Sequence, residues 1–304
     1  MMILLNTLLI LCAALAIPGV INRTRARLAG RKGIRFVQHL YDVRLLMRKD
    51  TVYSSTTSVL FRATPAIYLG TALLALLFIP VGDLDPLLSF EGDVIYFVYL
   101  LALGRFMLIL AAMDTGSAFE GMGASREALY GALVEPAMMF ALATLALLFG
   151  YTSFREIFLA AATLNLHQTI VLLLLTYVLL KIVFVESGRV PVDDPRTHLE
   201  LTMIHEVMCL DYCGVDMGMI KVAGWFKTAA LAMIAANTAA ITCCFHWWLV
   251  APLAVLLTGA AVGIVESTQA RNKLSRNTTF ILTLTALAAL VFFTGFLLQS
   301  NINI

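Results

Sequence analysis

The 304-residue chain is 61% hydrophobic and only 13% charged, and its mean hydropathy is +0.90. Soluble proteins carry charge on about a quarter of their residues, so this composition excludes a soluble globular fold. The net charge of +2 is small, and no stretch resembles a nucleic-acid-binding module. We therefore expect a protein that lives in membrane lipid and does not bind nucleic acid.

Apolar runs of about 20 residues, the length that a helix needs to cross about 30 Å of hydrocarbon, recur along the chain. They predict an all-α, polytopic membrane bundle of about eight spanning helices, forming a single integral-membrane domain over residues 1–304. The predicted spans are 2–21, 59–80, 93–112, 129–150, 165–185, 222–244, 247–265 and 278–298. The first lacks a basic segment before it, which favours a retained span over a cleaved signal peptide.

The basic residues predict the orientation of this bundle, because cytoplasmic loops carry an excess of Lys and Arg. Nine of the 21 Lys and Arg lie between Arg23 and Lys49, whereas the loops on the opposite side contain Arg155 alone. We therefore expect a multi-pass protein of the cytoplasmic (inner) membrane with both termini outside. The charged segment 186–221 would then face the cytoplasm.

Segment 36–49 has Phe36, Leu40, Val43 and Met47 at helical spacing. This pattern predicts an amphipathic helix at the membrane surface or beneath a partner protein, although an ordinary basic flank of solvated charges fits equally well. Segment 113–131 is rich in glycine, but no Gly-Lys-Ser/Thr follows that would indicate a nucleotide loop. Its glycines are better explained by a tight cytoplasmic turn between two spans than by phosphate binding.

Several charges lie inside the predicted spans. Glu135 lies in the fourth span and Glu127 about two turns before it, so both fall on roughly one helix face. Arg105 lies in the third span and Lys181 in the fifth. Each charge costs at least ~2.5 kcal/mol in hydrocarbon unless it is paired or hydrated. Two hypotheses follow: a proton relay through acids whose burial favours protonation, or a structural ion pair such as Glu135 with Arg105.

The stretch from Glu186 to Gly214 is the one long polar segment, and a charge cluster between spanning helices is a candidate functional site. Its side chains that could carry protons or pair charges are Glu186, Arg189, Asp193, Asp194, Arg196, His198, Glu200, His205, Glu206 and Asp211. The pattern predicts a helix from Arg196 to Leu210, with Asp194 as its N-cap. A metal site between His198 and His205 is one alternative, but the sequence has no HExxH motif and its five cysteines form no CxxC or zinc-type spacing, so charge pairing and proton transfer fit better.

Four stretches carry a resemblance to a known family. They are Arg31-Lys32-Gly33 followed by Gln38, Asp42, Leu46 and Lys49; Phe61-Arg62-Ala63-Thr64-Pro65; GASREALYGALVEP, which contains Glu135; and ESGRVPVDDP…ELT…DYCG. Together the stretches resemble the membrane subunit shared by respiratory complex I (its subunit 1, the H subunit in bacteria) and the membrane-bound group 4 nickel–iron hydrogenases, including formate hydrogenlyase.

Arg196 and His198 stand where complex I usually has acids, and Asp211 and Cys213 replace its Glu and Ser. Ser187-Gly188, Asp194 and the run Gly123-Ala124-Ser125-Arg126-Glu127 resemble the hydrogenase branch more closely. The resemblance implies a non-catalytic subunit of an oxidoreductase complex, coupling electron transfer in its partners to proton or sodium translocation. The implied proton-path and coupling residues are Glu127, Glu135, Glu186, Arg189, Asp193, Asp194, His198, Glu200, His205, Glu206, Asp211, Arg105 and Lys181.

The implied partners are soluble nickel–iron hydrogenase-like large and small subunits, and antiporter-like membrane subunits. The nickel–iron centre and the iron–sulfur clusters would lie in those partners. The spacing of Cys and His in this chain predicts no metal or cluster of its own, and quinone is the one cofactor left open. The alternatives are a quinone-site subunit of a complex I-like dehydrogenase, a stand-alone cation-coupled transporter, and a passive membrane anchor.

Overall fold

A computed structural model describes residues 2–160, 165–193, 203–242 and 247–300. Within these ranges the chain forms ten α-helices: α1 (Met2–Leu28), α2 (Gln38–Leu46), α3 (Val59–Leu77), α4 (Asp93–Asp114), α5 (Ala118–Phe149), α6 (Phe154–Ala160), α7 (Leu166–Glu186), α8 (Gly214–Thr242), α9 (Trp247–Thr268) and α10 (Leu274–Gln299). One turn of 3₁₀ helix, Glu206–Cys209, precedes α8.

Seven of these helices are long and apolar enough to cross a membrane, and α9 adds a shorter apolar helix from Pro252 to Thr268. The prediction of an all-α bundle with about eight spans is therefore confirmed. We call the end of the bundle at which α1 stops and α3 begins the basic end, since segment 23–49 with its nine Lys and Arg lies there.

Three helices extend by seven or more residues beyond their predicted spans at the basic end. Helix α1 continues to Leu28, α5 begins at Ala118 rather than at 129, and α8 begins at Gly214 rather than at 222. Hydropathy marks the part of a helix that is apolar, whereas these helices continue through polar residues covered by loops. The predicted glycine turn at 113–131 was wrong for most of its length. Only Gly116, with φ of +70°, lies in the three-residue connection, and the other glycines belong to α5.

Helix α8 is the central helix of the bundle. About two thirds of the residues in its most apolar stretch are buried, against 28% for α10. It packs against α1, α3, α7 and α9. Small residues let neighbouring helix backbones approach closely inside a membrane. Seven alanines of α8 are buried: Ala223, Ala229, Ala230, Ala232, Ala235, Ala236 and Ala240.

Two buried asparagines close the end of the bundle opposite the basic end. Asn6 of α1 accepts a hydrogen bond from the Val81 amide at 2.7 Å, and Asn237 of α8 donates to the Pro80 carbonyl at 2.7 Å and accepts one from the Gly82 amide. Non-helical backbone inside a membrane protein needs such partners, because no water is available to satisfy it. The two side chains therefore hold the non-helical segment 79–82 between α1 and α8.

Helix α2 confirms that segment 36–49 contains a helix. Phe36, just before it, packs against Gly19 of α1, and Met47, just after it, packs against Gly218 of α8. Between these contacts, the His39 imidazole lies 2.6 Å from the Leu15 carbonyl and edge-on to the Trp225 ring. The helix thus lies across the basic ends of α1 and α8 and ties them together.

The contact between α1 and α9 provides a stability test. A Cβ added at Gly263 would lie 2.9 Å from the Ile21 carbonyl oxygen and from Cβ of Thr24, so the two helices would have to separate. We expect Gly263→Ala to lower the free energy of unfolding by about 1–3 kcal/mol, the usual cost of overpacking. Thermal unfolding of the detergent-purified protein measures this loss.

Gly259→Ala is the matched control on the same helix, because its Cβ would meet α1 only at an ordinary contact distance of 3.6 Å. It should unfold at or above the wild-type temperature, since Ala favours the helix over Gly. An equal loss of stability in both variants would contradict close packing at Gly263.

Candidate functional site

The Arg105 side chain is the centre of a buried ion cluster. Its Nη1 lies 2.9 Å from Oε1 of Glu135, its Nε lies 3.4 Å from Oε1 of Glu127, and its Nη2 donates to Oε1 of Glu186. Arg105 comes from α4, Glu127 and Glu135 from α5, and Glu186 from the last residue of α7. Three spanning helices are therefore joined through one guanidinium, the side chain best suited to several carboxylates at once.

Helix α5 accommodates this arginine through its sequence spacing. Glu127, Gly131 and Glu135 are four residues apart, so they lie in one row along the helix. A Cβ at Gly131 would lie 2.6 Å from Nη1 and 2.9 Å from Cδ of Arg105. The glycine thus leaves the space in which the arginine lies between the two carboxylates.

The cluster continues from α7 to α8. The Lys227 ammonium lies 3.3 Å from Oε2 of Glu186, so this carboxylate is shared between two cations. Tyr68 of α3 is buried and lines the same cavity as Lys227 and Glu186. Five charged side chains from α4, α5, α7 and α8 therefore form one connected group.

Burial makes the charge balance of this group important. Arg105, Glu127, Glu186 and Lys227 are each less than 10% exposed, whereas the Glu135 side chain is 37% exposed. An ion in such a place is stabilised only by its partners, because the loss of hydration costs several kcal/mol. Three carboxylates face Arg105 and Lys227, so the group carries one net negative charge when all five side chains are ionised.

His205 reaches this cluster from outside the spans. Its Nδ1 lies 3.0 Å from Oε2 of Glu127. Burial lowers the pKa of His205, and the Lys227 charge acts in the same direction, but the Glu127 carboxylate outweighs both with a smaller contribution from Asp193, so the pKa is raised above its usual value. A protonated His205 brings the charge of the cluster to zero. Its protonation and its position are therefore tied to Glu127.

The loop that carries His205 is held by close backbone contacts. Gly188 has φ of +59°, and a Cβ there would lie 1.9 Å from Cδ2 of His205, so the imidazole lies directly against the glycine. On the other side, a Cβ at Gly123 of α5 would lie 2.3 Å from Cγ1 of Val207. These glycines let segment 203–213 lie flat against α5 and against the end of α7.

Side chains also supply the backbone hydrogen bonds of this loop. Glu120, in the first turn of α5, accepts one from the Asp211 amide, and Asp193 accepts from the amides of Ile204 and His205. A loop whose backbone groups are satisfied by side chains of other elements keeps a fixed, non-helical path. The predicted helix from Arg196 to Leu210 was therefore wrong in its described part, which contains only the Glu206–Cys209 turn.

Segment 187–193 is fixed from the other side by α9 and α10. Arg189 lies 3.1 Å from Glu266, which also binds Arg25, and Asp193 lies 3.3 Å from Arg271. The Asn277 amide group donates to the Val192 carbonyl at 2.8 Å. Ion pairs thus connect the segment after α7 to α9, through Glu266 to α1, and to the connection between α9 and α10.

A cavity of about 200 Å³ lies between the ion cluster and the loops. Its walls include Tyr68, Glu186, Arg189, His205 and Lys227. Apolar side chains such as Leu108, Met208 and Ile220 also line it.

Cys209 also lines this cavity, and burial raises its pKa to about 12, so it stays a neutral thiol rather than a thiolate. Among the described residues, no three His, Cys, Asp or Glu side chains lie close enough to share a metal ion. In the part of the chain that the structure describes, the chemistry observed at the site is charge pairing.

The structure brings together many of the residues predicted from the sequence. The ion cluster contains four of them, Arg105, Glu127, Glu135 and Glu186, and His205 contacts it. The wall of the adjoining cavity contains three more, Arg189, Asp193 and Glu206. Asp194, His198 and Glu200 lie outside the described residues. Both hypotheses for the charges within the spans remain compatible with this arrangement, since the Arg105–Glu135 ion pair exists within a larger group.

Two predicted residues lie away from the cluster. The Lys181 ammonium is placed over the rings of Tyr177 and Phe280, at 5.5 and 5.3 Å from their centroids. It makes no ion pair with any described residue, and cation–π contacts stabilise it instead. Asp211 is exposed and contributes its backbone amide rather than its carboxylate.

Sequence reasoning missed Lys227, Glu266 and Arg271. Lys227 falls inside the predicted span 222–244, and a charge at that place is a signal that was available. Glu266 and Arg271 lie at the end of a span and after it, where charges are ordinary. Only the three-dimensional contact with Arg189 and Asp193 reveals them.

Comparisons with known proteins agree with this architecture. The profile of a family described as NADH dehydrogenase matches residues 1–298. The chain is 31% identical to hydrogenase-4 component C of Escherichia coli (strain K12) over 290 residues, covering 91% of this chain and 90% of that protein. It is 32% identical to formate hydrogenlyase subunit 4 of the same organism over 218 residues, covering 72% and 70%.

A solved structure shares the fold. It is a chain of the membrane-bound sulfane sulfur reductase, an archaeal respiratory membrane complex, and the alignment has a TM-score of 0.78. The alignment covers 97% of this chain and 100% of that chain at 23% sequence identity. The likeness extends over the whole bundle.

Gly131 provides a test of the arginine site. We expect Gly131→Ala to push Arg105 away from its carboxylates and to cost about 1–3 kcal/mol of stability through overpacking. Gly121→Ala on the same helix is the control, since nothing lies within 4 Å of its added Cβ. That control should gain up to about 1 kcal/mol from helix propensity. Thermal unfolding in detergent would contradict the packing argument if both variants behaved alike.

His205 predicts a dependence of stability on pH. Because the pKa of His205 is raised in the folded protein, its contribution is fully present below about pH 6.5 and is lost as pH rises through the folded pKa. We expect the unfolding temperature of the wild type to fall across this window. His205→Asn, which keeps a donor without the charge, should remove that part of the fall. An unchanged pH profile in the variant would contradict the Glu127–His205 pair.

Proposed function

Since the chain belongs to the NADH dehydrogenase family, we propose that it is the membrane subunit of an energy-converting, hydrogenase-like complex, coupling electron transfer in a soluble redox module to ion translocation. The observation that carries this proposal is the buried cluster of three carboxylates and two cations that contacts a histidine of the adjoining loop. Charges of this kind are expensive in a membrane, and such charges mark proton and ion pathways.

The names of the relatives support the hydrogenase branch. Hydrogenase-4 component C and formate hydrogenlyase subunit 4 are named as parts of enzyme complexes that act on hydrogen or formate. We infer that this chain assembles in the same way, with soluble large and small subunits of the nickel–iron hydrogenase type and with antiporter-like membrane subunits. The nickel–iron centre and the iron–sulfur clusters would belong to the soluble partners.

The orientation follows from the charges. The positive-inside rule places the basic end of the bundle, with segment 23–49 and the loops above the cluster, in the cytoplasm and both termini outside. The redox module would then contact the basic end, next to His205. This arrangement puts the electron-transfer partner and the buried acids on the same side of the membrane.

The coupling can be derived from the charge balance. When the redox partner moves segment 203–213 or changes the charge next to it, the contact between His205 and Glu127 changes. The cluster then carries either zero or one negative charge, and in a medium of low dielectric constant this difference is large. Arg105 contacts all three carboxylates, so a change at Glu127 is felt at Glu135 and Glu186. Glu135, the most exposed of the three, would pass the proton toward the partner membrane subunits.

A quinone headgroup is the second candidate, because the cavity opens between the cluster and the loops and has Tyr68, Met208 and Trp225 in its walls. Its volume of about 200 Å³ is below the roughly 300–1,000 Å³ of typical small-molecule pockets. We therefore assign the cavity to proton transfer in this chain. Quinone-dependent activity of the purified complex would support the second candidate instead.

Glu135 gives the direct test of coupling. In the complex reconstituted into liposomes, we expect Glu135→Gln to keep redox turnover but to lower ion translocation by a factor of at least about 10², because an amide cannot accept the proton. Translocation is read from a pH-sensitive dye trapped inside the liposomes. Glu91→Gln is the matched control, since Glu91 is an exposed acid at the opposite end of the bundle.

Two outcomes would overturn the proposal. Unchanged translocation in an assembled Glu135→Gln complex would make the chain a passive anchor. Ion transport by the purified chain alone, without redox partners, would make it an independent transporter.

A further inference from the structure

A groove of about 640 Å³ opens at the basic end, between the last turns of α1 and α9. Its walls include the basic side chains Arg25, Arg31 and Lys32 and the apolar side chains Leu28 and Ile34. None of these residues belongs to the ion cluster. The groove is therefore a separate surface feature from the ion cluster.

The end of α1 builds this groove. Gly30 has φ of +65°, its amide donates to the Arg27 carbonyl, and the Arg31 amide donates to the Ala26 carbonyl at 2.9 Å. These two bonds form a Schellman motif, which ends a helix and reverses the chain. A Cβ at Gly33 would lie 2.7 Å from Cβ of Ala26, so the returning chain lies against the helix. Segment 31–34 is thus fixed beside the last turn of α1.

The charges in the groove are not balanced. Glu266 lies in its wall with no exposed side-chain surface, but it is already bound by Arg25 at 3.2 Å and by Arg189 at 3.1 Å. Arg31 and Lys32 are exposed and have no acidic partner within 4 Å in the ranges that the structure describes. The groove therefore keeps a positive charge that an anion could neutralise.

Apolar surface lies directly beside this charge. Leu28 and Ile34 are each 55% exposed at the same opening. A free anion would use only the basic residues, whereas an amphiphile would use both kinds of surface. Basic side chains at the end of a spanning helix lie at the level of the lipid headgroups, where basic pockets between helices bind anionic lipids.

We propose that this groove binds the phosphate headgroup of an anionic phospholipid. Arg31 and Lys32, with Arg25 beneath them, hold the phosphate, and the acyl chains lie along Leu28 and the outer faces of α1 and α9. Because Glu266 joins Arg25 to Arg189, the bound lipid also restrains the segment that follows α7. The proposal goes beyond the coupling function and does not depend on it.

The test uses the full chain, purified in mild detergent, stripped of lipid and titrated with phosphatidylglycerol, phosphatidylcholine or inorganic phosphate. Phosphatidylglycerol should raise the unfolding temperature in a saturable way, whereas the other two should not. Arg31→Gln/Lys32→Gln should raise the half-saturating lipid concentration on the order of tenfold. Arg44→Gln/Arg48→Gln removes the same charge from exposed positions elsewhere and should change it less than about twofold.

Three results would overturn the proposal. Equal stabilisation by inorganic phosphate would indicate a free-anion site, and equal stabilisation by phosphatidylcholine would indicate general solvation by lipid. An equal rise of the half-saturating lipid concentration in both double variants would mean that lipid binding depends on the net charge of the protein and not on this groove. Native mass spectra of the wild type in equal amounts of both lipids need no variant. Phosphatidylglycerol adducts should exceed phosphatidylcholine adducts several-fold, and equal adducts would contradict the site.

Discussion

The bundle depends on one guanidinium that satisfies three carboxylates in a place where water is largely excluded. Without Arg105, the acids of α5 and α7 would be left with Lys227 and a histidine from the loop, and at least one would have to take up a proton or move. The glycine between the two acids of α5 is part of the same arrangement, because it provides the space for the arginine. Charge and packing are therefore fixed by the same few positions on α4, α5 and α7.

Among the described residues, this arrangement connects the buried cluster to the loop before α8 through the contact between His205 and Glu127. The four fixed elements around the cluster are spanning helices, whereas His205 belongs to a segment held by side-chain hydrogen bonds and close glycine contacts. A displacement of this segment would break side-chain hydrogen bonds rather than the backbone hydrogen bonds of a spanning helix. The chain thus combines a rigid set of buried charges with one contact that a neighbouring protein could alter, which is the combination that the proposed coupling needs.

The sequence was sufficient to predict the membrane-spanning helices, because a run of about 20 apolar residues has the length and composition of a helix that crosses the bilayer. It also pointed to Arg105, Glu127, Glu135 and Glu186, since charges in or next to such runs are rare. It failed for the loop before α8, where acids and histidines at helical spacing suggested a helix. There the backbone is satisfied by Glu120, which is 91 residues from its partner Asp211, and by Asp193, which is 11 residues from Ile204. The partners of Glu266 come from α1 and from the segment after α7, and no local pattern predicts such a meeting.

The asparagine pair at the far end of the bundle has a mechanical consequence. Asn6 and Asn237 join α1, α8 and the stretch after α3, so these elements cannot slide past each other at that end. Any displacement of α8 must then occur as a tilt about this fulcrum. With a rise of about 1.5 Å per residue, the helix from Asn237 to Gly214 forms an arm roughly 35 Å long, and a rotation of about 5° would carry its other end by roughly 3 Å. Lys227, about 15 Å from the fulcrum, would travel roughly 1.3 Å, which is enough to lengthen its contact with Glu186 beyond ion-pair distance.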